Sequence, residues 1–486
     1  MAAMLCGCMS DYYMADGAYM DPGMTGIEGE LEEDTGRFDE IVENHFIKVA
    51  DEPVSTFSVD ADGASFSYVK RCITHGQAFN AGAARIEEFI NYFPFDYAEP
   101  AGSDLVALNS EIGDCPWAEG HKVIRLGMKG KSIPDSEMPA ANYVFLVDVS
   151  GSMDSEDKLD LLKSGLTKML DVLNPDDRIS IVTYSGEVRK VLESTPVSEA
   201  DKIKRAIKKL TAGGSTAGGQ AMKMAYEEAK RNFIAGGNNR VIMGTDGDFN
   251  VGVTDTDSLL EMVQDYAKTG IYLTVCGFGW GNLNDSMMET ISNKGNGTYE
   301  YIADATDMTK IFVNEKSKFF SVANDCKVQV KFNPETVAEY RLIGYENRAM
   351  SNEDFDNDEK DAAEIGAGQT VTALYEIIPA EGYGDGAQCA TFDFRYKETL
   401  DSASLLLNED VRVRGGGSDS FNFACGVAAY GMILRSSEYK GAADFDMVKS
   451  LVEKGIKGFD PYEYRADFLS LVEITESYQK EKKSEN

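Results

Sequence analysis

Asp148, Ser150 and Ser152 stand at D-x-S-x-S spacing in the segment DVSGSM, residues 148–153. One carboxylate and two hydroxyls within five residues make a compact set of hard oxygen donors. Two more oxygens occupy comparable places further along the chain. Thr216 follows Gly213, Gly214 and Ser215 at an expected helix start, and Asp246 closes the apolar run 240–245 (RVIMGT). The all-oxygen set Asp148, Ser150, Ser152, Thr216 and Asp246 suits Mg²⁺ first, with Mn²⁺ or Ca²⁺ as alternatives, and does not suit zinc or copper. Three of its members are neutral hydroxyls, so a bound divalent ion stays under-neutralised and keeps a position open. A carboxylate from a partner protein can fill it.

Taken singly, each residue has an ordinary reading. Ser150, Ser152 and Thr216 would be helix caps, and Asp246 an Asx-turn. The elements around them favour the joint reading. Residues 143–147 (YVFLV) form a continuous apolar run ending at Asp148, as expected for a strand buried on both faces. Strand-like and helix-like segments then alternate. Strands are expected at 178–184, 188–192, 240–246, 271–277 and 298–302, and helices at 158–173, 200–210, 216–233, 259–268, 285–292 and 308–320. This order implies a doubly wound, mainly parallel α/β domain with helices on both faces. In such sheets ligands bind beyond the carboxyl ends of the strands, where these oxygens are expected to lie.

The flanks read differently. Residues 56–59 and 122–126, and later 327–332, 371–377, 390–396 and 409–411, carry period-two alternation separated by turns. That pattern implies an antiparallel β-sandwich on both sides of the α/β block, with the block inserted into it or flanked by it. The segment 67–93 reads as mixed helix, and 421–478 as mostly helical. The expected organisation is a tether over 1–45, an N-terminal domain over 46–100, sandwich strands over 101–138, the α/β domain over 139–323, the rest of the sandwich over 324–418 and a helical region over 419–486.

Asp and Glu number 82 against 47 Lys and Arg, for a net charge of −35. Such a balance repels phosphate backbones and argues against nucleic acid as a partner. No run of about 18 apolar residues is present, so no spanning helix is expected. Eight cysteines lie without CxxC or zinc spacing, and Cys276, inside the apolar run 271–278, reads as a small buried hydrophobe. Residues 5–8 (LCGC) are similar to a bacterial lipobox with Cys8 as the lipidated residue, but the preceding stretch is short and lacks Lys and Arg. The expectation is a truncated lipoprotein signal followed by a flexible, acidic tether over 9–45.

Other motifs fall short of a chemistry. Gly130-Lys131-Ser132 has Arg125 where a P-loop needs glycine, and Gly213-x-Ser215-x-Ala217 is one residue short of a nucleophile elbow. Two acidic runs at 58–63 and 354–358 resemble the start of an EF-hand loop; the first lacks its closing Glu and the second its glycine, leaving only loose Ca²⁺ binding open to the second. The three histidines, His45, His75 and His121, all lie outside the α/β block, so a Ser–His hydrolase would need a base from elsewhere.

The metal-ligand set resembles the metal-ion-dependent adhesion site of von Willebrand factor type A (VWA) domains. Asp148, Ser150 and Ser152 match its first motif, Thr216 its second loop and Asp246 its third. Residues 54–62 (VSTFSVDAD), 85–93 (RIEEFINYF), 364–368 (EIGAG), 421–424 (FNFA), 437–441 (SEYKG) and 460–462 (DPY) extend the likeness to a bacterial VWA lipoprotein family over about 46–475. The resemblance implies recognition of a protein partner through the metal, no catalysis, and attachment to the cell envelope through a lipid anchor, on its periplasmic or outer face. Two other readings stay open: an envelope scaffold whose metal only stabilises loops, and a hydrolase.

Overall fold

A computed structural model describes residues 38, 40–59, 62–214, 218–247, 256–280, 283–358, 360 and 362–485. Thr216 and the lipobox-like segment with Cys6 and Cys8 lie outside the described residues.

The N-terminal part contributes β1 (Ile47–Lys48), β2 (Val54–Ser58), α1 (Ala64–Thr74), α2 (Ile86–Asn91), β3 (Val106–Asp114) and β4 (Lys122–Gly130). The α/β block follows as β5 (Ala141–Asp148), α3 (Leu161–Met169), β6 (Arg178–Tyr184), β7 (Val188–Pro196), α4 (Ala200–Lys208), α5 (Gly218–Arg231), β8 (Asn238–Thr245), α6 (Thr256–Ala267), β9 (Ile271–Phe278), α7 (Asp285–Lys294), β10 (Tyr299–Ile302) and α8 (Ala305–Thr309). Then come β11 (Ser321–Phe332), β12 (Val337–Ile343), β13 (Ala363–Gly366), β14 (Thr370–Pro379), β15 (Gln388–Lys397), β16 (Leu405–Arg412), α9 (Asp419–Leu434), α10 (Phe445–Gly458) and α11 (Tyr464–Glu485).

The central sheet runs β10-β9-β8-β5-β6-β7 and is parallel except for the β6–β7 pair. Every residue of β5 is buried, because alternate side chains feed two cores. Val144 and Leu146 join Met222 of α5, Val263 of α6 and Ile291 of α7 on one face. Tyr143, Phe145 and Val147 join Leu162 and Leu166 of α3 and Ile203 of α4 on the other. The result is the doubly wound α/β domain expected from the alternation.

Two antiparallel sheets make the sandwich. One runs β1-β12-β14-β4-β3; the other runs β13-β11-β15-β16, with β2 also paired to β11. β4, which precedes the α/β block, pairs with β14, which follows it, in the register Ile124↔Tyr375. β2 likewise pairs with β11, Phe57 opposite Val328. The α/β domain is therefore inserted into the sandwich. Ile124, Leu126 and Tyr375 of one sheet and Val330, Phe392 and Phe394 of the other fill the space between them. α9, α10 and α11 pack with α1 and α2 around an aromatic cluster in which Phe66, Phe93, Phe423, Tyr430 and Phe468 meet mostly edge to face.

The segment 67–93 is mixed helix, two helices with a short 3₁₀ turn at Ala81–Ala83 between them. Two helical expectations are corrected. The closing helix expected over 308–320 is α8, a π-helical turn at Lys310–Asn314 and a 3₁₀ turn at Lys316–Phe319. The wide turn brings Lys310 Nζ to 2.5 Å from Glu315 Oε2, a five-residue spacing that an α-helix would splay apart. The helix expected from 158 begins with another π-helical turn, Glu156–Asp160, before α3.

Candidate metal centre

β5 ends at Asp148 and its neighbour β8 ends at Thr245, so Asp148 and Asp246 emerge at the carboxyl edge of adjacent parallel strands. Both carboxylates are buried, Asp148 fully and Asp246 to within 2%. Asp148 folds the loop after it: the Ser150 backbone N–H donates to its Oδ1 at 2.8 Å. Thr245 Oγ1 reaches its Oδ2 at 3.3 Å. Burial pushes the Asp148 carboxyl up to about 6, the Ser150 hydrogen bonds oppose that, and the nearby negative charge of Asp246 adds to it. Ser150 Oγ and Ser152 Oγ lie 2.9 Å apart.

The second loop is tied to the first through the backbone. Gly213 N–H donates to the Val149 carbonyl at 2.8 Å, and Gly151 N–H donates to the Gly214 carbonyl at 3.1 Å. Gly214 takes φ +93, which glycine alone adopts without strain. Of the five residues singled out from sequence, the structure brings together Asp148, Ser150, Ser152 and Asp246; Thr216 is not among the described residues.

Sequence reasoning missed Lys158. Its Nζ donates to the Ser152 carbonyl at 2.8 Å and to Asp246 Oδ2 at 3.0 Å. The π-helical turn Glu156–Asp160 aims this side chain back over the D-x-S-x-S loop. Gly279, at φ +77, leaves the room it needs: a Cβ there would lie 2.2 Å from Lys158 Cε. Lys158 stands ten residues after Asp148 in an unremarkable charged stretch, and no local signal marks it.

The donor chemistry fits a divalent cation on two counts. The oxygens are hard, and two buried carboxylates share the site with neutral hydroxyls. An ammonium already sits within hydrogen-bond reach of one of those carboxylates, so the cluster attracts positive charge. Among the described residues, no group of three or more His, Cys, Asp or Glu side chains is placed to hold a metal, which leaves no softer-ligand site in competition. All six described cysteines are buried and free, Cys276 with them. Of the histidines, His75 Nδ1 lies 2.9 Å from the Arg71 carbonyl and His121 Nδ1 2.6 Å from Glu376 Oε1, both outside the α/β domain. In the EF-hand-like run, Arg395 bonds both Asp356 and Asp358.

Three family models match the chain: von Willebrand factor over 32–125, von Willebrand factor type A domain over 142–314, and uncharacterized protein YfbK, C-terminal, over 317–478. Uncharacterized protein YfbK of Escherichia coli K12 is 36% identical over 468 residues, covering 91% of this chain and 81% of that one. Human inter-alpha-trypsin inhibitor heavy chain H4 is 29% identical over 176 residues, 34% of this chain and 18% of its own. Among solved structures, a von Willebrand factor type A protein from Catenulispora acidiphila aligns with a TM-score of 0.42 at 16% identity, covering 74% of this chain and 89% of that one.

Proposed function

The chain belongs to the YfbK family of bacterial VWA-domain proteins, and from that membership and the geometry at the carboxyl edge of β5 and β8 we propose that it binds a protein partner through a divalent metal. A VWA domain carries an interaction or adhesion type of role. The observation that supports the reading is the pairing of two buried carboxylates with the Ser150 and Ser152 hydroxyls in one pocket of oxygens. Asp148, Ser150, Ser152 and Asp246, with Thr216 from the loop after Gly214, would hold Mg²⁺, or Mn²⁺ or Ca²⁺ in its place. The bound ion would supply an electrophilic position for an Asp or Glu side chain of the partner. The chain's own residues orient it: Asp148 fixes the loop through the Ser150 N–H, and Lys158 balances Asp246 while the metal is away.

The proposed setting is the bacterial cell envelope, by a lipid anchor at the LCGC segment. Among the described residues no helix is long and apolar enough to cross a membrane.

Calorimetric titration of Mg²⁺, Mn²⁺ and Ca²⁺ into chelator-treated protein, beside Asp148→Ala, tests the site. Saturable binding at one site, lost in the variant at unchanged circular dichroism, is the expected result. Equal binding by Asp148→Ala overturns it. If metal loss lowers the melting temperature but leaves capture of an envelope partner intact, the metal only staples loops and the scaffold reading replaces this one.

A further inference from the structure

The seam between the α/β domain and the sandwich holds a cavity of about 260 Å³. It opens at the amino ends of the parallel strands, at the opposite edge of the sheet from Asp148 and Asp246. Arg240 near the start of β8, Lys294 at the end of α7, Lys318 before β11, and Arg348 and Lys360 from sandwich loops line it. Among the described residues Glu364 is the one carboxylate on its wall. Five cations against one acid among those residues reverse the balance of the whole chain, where acids outnumber bases 82 to 47. A basic hollow in so acidic a molecule concentrates positive potential where little else does.

Not all of these cations are neutralised from within. Lys318 is paired with Glu300 and Glu315, and Arg348 with Glu289. Lys294 and Lys360 have no ion pair among the described residues, and neither does Arg240, although Arg240 is only 2% exposed. Its Nε and Nη2 donate to the Phe319 carbonyl at 3.1 and 2.8 Å, and its Nη1 to Thr274 Oγ1 at 2.9 Å. A guanidinium carries five N–H groups, so two remain. The rings of Tyr272 and Phe319 lie 5.5 and 5.7 Å from it and steady the charge without cancelling it. Burial lowers its pKa from the ordinary value, and the negative charge of Glu364 on the same wall opposes that only in part. The remaining wall is rich in carboxamides, Asn293, Asn296, Asn347 and Gln369, which bond hydroxyls in either direction.

We propose that this cavity is a binding site for a small hydroxyl-rich anion, a sugar acid or sugar phosphate, held by Arg240, Lys294 and Lys360. Pockets of this kind collect at domain interfaces, and the ligand would cross-link the inserted domain to its host. The site is separate from the candidate metal centre: β8 carries Arg240 near one end and leads into Asp246 at the other, roughly 20 Å along the strand.

The test is calorimetric titration of the full chain, in 150 mM salt, with glucose 6-phosphate, glucuronate, inorganic phosphate and neutral glucose, beside the double variant Lys294→Glu/Lys360→Glu. The expected result is saturable binding of glucuronate or glucose 6-phosphate, weaker binding of phosphate and none of glucose. The stronger of the two sugars identifies carboxylate or phosphate as the anion. The double variant is expected to bind about tenfold more weakly at an unchanged melting temperature, since both lysines stand at the surface of the cavity. No binding of any of the three anions, or equal affinity in the double variant, overturns the proposal.

Discussion

Lys158 Nζ lies 3.0 Å from Asp246 Oδ2, and the Asp246 side chain is completely enclosed while that of Lys158 keeps 16% of its surface exposed. A cation that arrives on a long side chain can also leave on one. Solvent reaches the ammonium, so Lys158 can swing out without opening the core, whereas Asp246 has nowhere to go. Lys158 is one cation that balances its charge, and a bound metal would be another.

Replacing Lys158 by Met therefore separates the two roles. Without the tethered ammonium, Asp246 loses the cation that sits 3.0 Å from its Oδ2, and the chelated protein is expected to lose roughly 3 kcal/mol. Metal affinity should rise, because the incoming ion no longer displaces a competitor. Thermal unfolding with and without chelator, together with Mg²⁺ titration, reads both. Weaker metal binding in Lys158→Met would mean that the ammonium helps hold the ion's ligands in place instead of competing with it.

Gly279 acts on the same contact from behind. Its backbone sits at φ +77, and a methyl group would collide with Lys158 Cε. Gly279→Ala is expected to cost about 1–2 kcal/mol from the left-handed backbone alone, and to push Lys158 off Asp246. Its metal affinity should shift in the same direction as that of Lys158→Met. A variant that is destabilised with metal affinity unchanged would show that Lys158 finds another path to Asp246.

Much of this architecture was legible in sequence because burial writes a simple pattern. The run YVFLV before Asp148 is buried on both faces, and its continuous apolarity says so. β12, with Glu339 and Arg341 among its apolar residues, and the four-residue β13 carry a weaker signal and were not foreseen. Helix breaks were harder still. The π-helical turns at Glu156–Asp160 and Lys310–Asn314 add one residue to a turn, a change that hydrophobic spacing does not register. Lys158 was hidden for that reason: an ordinary α-helical start would have aimed it elsewhere. The oxygen ligands carried their own spacing; the cation facing them depended on a backbone irregularity.

Arg85 joins the N-terminal segment to the inserted domain. Its Nη1 lies 2.9 Å from Glu88 Oε1, and its Nη2 lies 2.5 Å from Asp285 Oδ2 and 3.1 Å from Glu289 Oε2, all four side chains being nearly enclosed. One guanidinium thus neutralises carboxylates from α2 and α7 together, with Arg348 sharing Glu289. Arg85→Ala leaves three buried acids with too little positive charge and is expected to destabilise the protein by roughly 3–5 kcal/mol. Urea unfolding at neutral pH measures it. Arg85→Lys should recover only part, because a point charge cannot span two helices with a planar fork.

Glu87, the next acid along α2, has no such partner. Its Oε2 is buried without a hydrogen bond and presses against Gly344, whose φ of +76 and missing Cβ make the space. Burial raises the Glu87 carboxyl to about 8, with the charges of Glu346 and Glu88 adding to the effect. A carboxyl raised on folding binds its proton more tightly in the native state. Its contribution is thus complete below the unfolded value of 4.5 and is lost as pH rises through about 8. Glu289, held at about 7 by burial against the pull of Arg348 and Arg85, titrates in the same window, so the wild-type curve alone does not isolate Glu87. The difference between wild type and Glu87→Gln does. Gln keeps the shape of the protonated acid and cannot ionise. The variant is expected to match wild type near pH 4.5 and to exceed it progressively up to pH 8.5, by chemical denaturation at each pH. A constant difference across that range would show that Glu87 keeps the same charge in the folded and unfolded chain, and that the carboxyl finds solvent the packing around Gly344 denies it.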